Sequence, residues 1–241
     1  MNRKMVRTIT LGTFALVAVL CAARPGRAAD AKTPYPSMAP LDQYLMADRD
    51  AEIALARSAA PPSIAKDATI MVLGRHGYET AVEGTNGFVC LVGRTWTAGF
   101  KNPEFWNPKN RGPACYNPPA ARSVMPIDFL RTKFALAGQS KDEIYESMKA
   151  AVEKKELPDV EPGAMIYMLS KQGHINDRAG HWLPHLMFYV PLKDAKNWGA
   201  GAPDSPIIVA PRLNGAPEPV TELIIVVSEW SDGTPSSTDH H

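Results

Sequence analysis

Short runs of strand length, mostly apolar and mostly bounded by glycine or proline, limit what this chain can fold into. Residues 68–73 (ATIMVL), 78–83, 88–92, 164–170, 185–191, 206–210 and 221–230 all read as strands. Prolines punctuate the entry at 34–40, the pair 61–62 and the stretch 97–126. Three helices are nevertheless predicted. One spans 42–59 with Asp42 as N-cap, and Pro61-Pro62 stops it. Another covers 127–137, with Phe129, Leu130 and Phe134 at helical spacing and Gly138 past its end. The third opens at Ser140, where Ser140 and Glu143 make a capping box; Ile144, Met148 and Val152 give it an apolar face, and Pro158 closes it. The pattern predicts an α+β fold, a mainly antiparallel sheet with a few packed helices, as a single domain over 29–230. A flexible polar tail follows over 231–241. Residues 68–92 read as an antiparallel meander with a tight hairpin at Asn86-Gly87. The stretch 97–126 reads as an irregular loop, rich in Asn-Pro turn starters and held down by its aromatics.

The first 28 residues read as a signal peptide. Arg3, Lys4 and Arg7 precede an apolar segment over 8–23, and Gly26-Arg27-Ala28 offers a cleavage site before Ala29. An uncleaved anchor and lipidation at Cys21 are the alternatives. Cleavage implies a periplasmic or secreted protein with no stable membrane insertion. It takes five positive charges from a chain of net charge +1, leaving the mature protein near −4. With no basic stripe, nucleic acid is excluded as a partner. Cleavage also removes Cys21 and leaves Cys90 and Cys115, an even pair that predicts one disulfide in an exported protein. The sequence sets no oligomeric state.

Half of the six histidines lie in one window, as His174, His181 and His185, beside Asp177, Arg178 and Trp182. A divalent metal such as zinc could take His181 and His185, with His174 or Asp177 as a third ligand. Gly180 and Pro184 argue against a helix there, and on an extended strand His181 and His185 stand about 13 Å apart. Coordination would therefore need a bend at Leu183-Pro184. Without a metal, His174, His181, Trp182 and His185 could line a polar pocket for a small molecule. Hydrogen-bonded histidines in a structural loop are the third reading.

A second candidate is Gly74-Arg75-His76-Gly77. The segment GRHGYET resembles the R-H-G opening of the histidine phosphatase family. The resemblance implies His76 as a phosphorylated nucleophile, Arg75 as a phosphate clamp and His181 as a second histidine, in a periplasmic phosphohydrolase. In that family the motif runs on into a helix of a three-layer α/β domain, whereas here it reads as the start of a hairpin. More broadly, the segments GRHGYE, GTNGFVC and GHWLPHLMF resemble those of exported bacterial proteins of uncharacterised function. That resemblance implies a bacterial exported setting and carries no activity. Three functions stay open: binding of a small ligand or metal, phosphohydrolysis, and a structural or partner-binding role.

Overall fold

The strand-length runs assemble into one sheet. The computed structural model describes residues 34–199, 202–205, 207–209 and 216–236. The strands are β1 (Thr69–Gly74), β2 (Gly77–Val82), β3 (Val89–Gly93), β4 (Gly112–Tyr116), β5 (Met165–Met168), β6 (His185–Pro191), β7 (Ile208–Val209) and β8 (Val220–Val226). Their order is β2-β1-β3-β4-β5-β6-β8-β7. Every neighbouring pair is antiparallel except β1 with β3. The α+β prediction holds.

The parallel pair corrects the meander. After the β1–β2 hairpin the chain passes beneath the start of β1 and rises on its other side. Residues 84–88 make this crossing, so Asn86-Gly87 is not a hairpin turn. The main-chain amides of Thr85 and Asn86 donate to Asp67 O at 2.8 and 3.2 Å. Asn86 donates its side-chain amide to Ile64 O at 2.8 Å. Gly84 runs so close to β1 that a Cβ there would lie 2.1 Å from Thr69 N. Any larger residue would push the crossing off the strand.

Cys90 and Cys115 are direct cross-strand partners of β3 and β4, and they form a disulfide. Residue 115 therefore belongs to the sheet and not to a loop. The predicted loop over 97–126 contains β4, helix α3 (Pro118–Ser123) and the start of helix α4 (Met125–Leu136). Arg111 exchanges main-chain hydrogen bonds with His174 at 2.9 and 2.8 Å, which extends the ladder past β4.

Helix α1 (Arg49–Arg57) starts later than 42 because Asp48 is its cap; the carboxylate accepts from Asp50 N and Ala51 N at 2.9 and 3.1 Å. Residues 41–43 form only a 3₁₀ turn, since Tyr44 is drawn into the core. There its hydroxyl donates to Trp106 O at 2.8 Å. A four-residue helix, α2 (Pro62–Ala65), follows α1. Helix α5 (Lys141–Glu153) begins at Ser140 with the predicted capping box, and Ile144 and Met148 are fully buried.

Strand alternation sends Cys90 and Val92 toward α1, and Leu91 to the opposite face with residues of α3, α4 and α5. The sheet is thus covered on both sides around β1, β3 and β4. At the C-terminal end, residues 231–236 of the predicted tail bond back to the chain just past β5 and β8. Ser231 N donates to Leu169 O, and Ser236 N to Ser228 O. The predicted signal peptide, residues 1–28, and residues 237–241 lie outside the described residues. Among the described residues no helix is long and apolar enough to cross a membrane.

Candidate functional site

The histidine window connects β5 to β6, and its rings go three ways. Asn176 folds residues 175–180 into a tight loop by accepting from Arg178 N and Ala179 N at 3.0 and 2.6 Å. Trp182 is buried and donates to Met168 O at 3.1 Å. Its ring packs so near the main chain that a Cβ on Gly173 would lie 2.3 Å from it. His185 is buried on β6, with Nδ1 2.7 Å from Leu183 O, where a neutral ring donates. Burial lowers its pKa. His181 is exposed beside Trp230, the ring centroids 6.3 Å apart.

His174 stands apart, with Nε2 3.6 Å from Asp177 Oδ1. Asp177 also accepts from Tyr35 and from Lys109 and Asn107, the last two at 3.2 Å. The Tyr35 hydroxyl, then Lys109 and Asn107, hold the Asp177 carboxyl down at about 2. This is a surface knot that ties the chain entry at Tyr35 to the loop. Among the described residues, no three His, Cys, Asp or Glu side chains form a group that could hold a metal ion.

His76 and Arg75 sit exposed on the β1–β2 turn, with Arg75 ion-paired to Asp42. The motif runs straight into β2, not into a helix. His76 lies at the same sheet edge as His185 but four strands away, which is about 19 Å at ordinary strand spacing. The structure therefore does not gather His76 with the His174–His185 loop.

What it does assemble lies at the opposite edge of the sheet. A cleft of about 1100 Å³ opens between the C-terminal end of α5, the end of β6 and the entry to β8. Val152, Leu157, Val160, Pro191, Leu192 and Val220 give it apolar walls, and Lys155 and Lys193 stand among them. In its lining Glu218 is buried and paired in bidentate fashion with buried Arg131 of α4, at 2.8 and 2.9 Å. Arg131 further donates to Ala98 O at 2.8 Å and covers the Phe100 ring at 4.5 Å.

Behind the cleft a second small cavity shares Ile127, Glu218 and Val220 with it and reaches Tyr189 and Glu222. Tyr189 donates to Glu222, its partner across β6 and β8, at 3.0 Å. Nearby, Tyr116 donates to Asp128 at 2.6 Å. An apolar cleft lined in part by fixed charges is the usual form of a small-molecule site. Sequence reading missed these residues, although a signal exists. Glu222 interrupts the apolar run 220–227, and Asp128, Arg131 and Thr132 lie on the buried side of a helix whose sequence signal is Phe129, Leu130 and Phe134.

Compared with known proteins, the chain matches no family model, no curated protein and no solved structure.

Proposed function

We propose that this is an exported binding protein for a small, largely apolar molecule, held in the cleft between α5, β6 and β8. One observation carries the reading. The cleft is roughly as large as a typical ligand site and leaves Leu192 56% exposed among apolar neighbours. A leucine kept in water in a concave apolar setting gains when a ligand covers it, by about 25 cal/mol per Å² of apolar surface removed from water. The rigid Arg131–Glu218 pair fixes one part of the lining, so little ordering cost falls on binding. Export rests on the basic-then-apolar residues 3–23 and on the Cys90–Cys115 disulfide. Small-molecule binding stays as the sequence suggested, but its seat moves from the histidines to the cleft.

The uncharged apolar fluorophore Nile red tests this. Wild-type protein is expected to bind it saturably, and the cleft-filling substitution Val152→Trp to abolish binding with the circular dichroism spectrum unchanged. His181→Ala should bind like wild type. Absence of saturable binding, or equal binding by a folded Val152→Trp variant, contradicts the proposal.

A further inference from the structure

Two helices in this protein end in the same way but with different residues. After α4, Gly138 N bonds Ala135 O and Gln139 N bonds Phe134 O. After α5, Lys155 N bonds Val152 O and Glu156 N bonds Ala151 O. Both are Schellman caps, which turn the residue past the C-cap into the left-handed region. Gly138 does so at φ 81° without strain, having no Cβ. Lys155 does so at φ 57°, where any side chain is disfavoured. Asp204 is the one other non-glycine at positive φ among the described residues.

Glycine would therefore suit the backbone at 155 better, yet the position carries a lysine that lines the cleft. Lys193 lines it too, and among the described residues neither ammonium forms an ion pair. The neighbouring Lys154 does reach an acid, Glu156 at 4.0 Å. Of the two acids in the lining, Glu218 is neutralised by Arg131; Asp159 is solvent-exposed, as are both lysines, so the lining's side chains left without an ion pair among the described residues are two cations and one anion, a net positive surplus. The cleft therefore combines apolar walls with two unpaired cations.

From this charge complementarity we infer that the ligand is an anionic amphiphile, an apolar chain or ring bearing a carboxylate or similar acid, whose head group is held by Lys155 and Lys193. The inference rests on the cleft being the binding site. It explains why a left-handed backbone position keeps a long charged side chain: the lysine weakens the fold slightly and supplies a charge-assisted hydrogen bond to the ligand.

The test uses a dansyl-labelled undecanoate and its uncharged carboxamide, titrated by fluorescence into the full exported chain. The carboxylate is expected to bind on the order of tenfold tighter, the size of one hydrogen bond to a charged group. Lys155→Gly should remove most of that preference while raising Tm by about 2–4 °C, because glycine relieves the strained position. Lys155→Arg should retain the preference, and added salt should weaken the carboxylate alone. Equal binding of acid and amide by the wild type overturns the inference and leaves the cleft reading intact. So does an undiminished preference in Lys155→Gly. Failure of both probes to bind overturns the inference together with the cleft reading.

Discussion

His185 illustrates how burial decides what a histidine can do. The residue is 8% exposed, and burial holds its pKa below the ordinary 6.5. The unfolded chain therefore takes up a proton that the folded chain refuses. The stabilising effect is complete above about pH 6.5 and declines as the pH falls below it. Thermal denaturation followed from about pH 8 to pH 5 should show Tm falling, and His185→Gln should flatten that fall. An equal slope in both proteins would mean that another group is responsible. A pair hidden from sequence reading, Arg94 and Glu52, matters more to the fold. Both are buried and meet at 2.9 Å. Arg94 also donates to Tyr44 O and Val92 O, and Glu52 accepts from Leu73 N at 3.2 Å. Arg94→Met strands the Glu52 charge and should cost about 3–5 kcal/mol in urea denaturation. A loss below about 1 kcal/mol would indicate that Glu52 finds water or another donor.

At the level of elements, local signals are legible in the sequence and long-range ones are not. Ser140 and Glu143 revealed the start of α5 because the capping box is self-contained over four residues. The runs at 185–191 and 88–92 gave their strands because each is a short apolar run of strand length bounded by proline or glycine. The parallel partnering of β1 and β3 left no such mark. It is set by Asp67, Asn86 and Gly84 at the crossing, where a hairpin and a crossover use the same turn residues. Likewise Asp48 displaced Asp42 as a helix cap because Tyr44, between them, is buried. The disulfide was legible as a pair but not as a cross-strand bond. It closes a loop of 25 residues, so Cys90→Ser/Cys115→Ser should lose about 3 kcal/mol of stability. Unchanged unfolding in reducing buffer would contradict that.

Taken as a whole, the sheet presents two different ends. One edge carries the β1–β2 turn and the β5–β6 loop, where histidines are spent on local contacts or left in water. The opposite edge carries the cleft, its two lysines and the buried Arg131–Glu218 pair. Four of the six histidines, His76, His174, His181 and His185, lie at the first end, which makes that end conspicuous in the sequence. The cleft was not legible because its walls come from four segments far apart in the chain, and each looks unremarkable alone. Placing function at the second end is the central claim, and hydrogen exchange with and without saturating dansyl-labelled undecanoate tests it most directly. Protection is expected in residues 152–160, 191–198 and 218–220, with none in 174–185. Protection confined to 174–185, or absent everywhere, would contradict it.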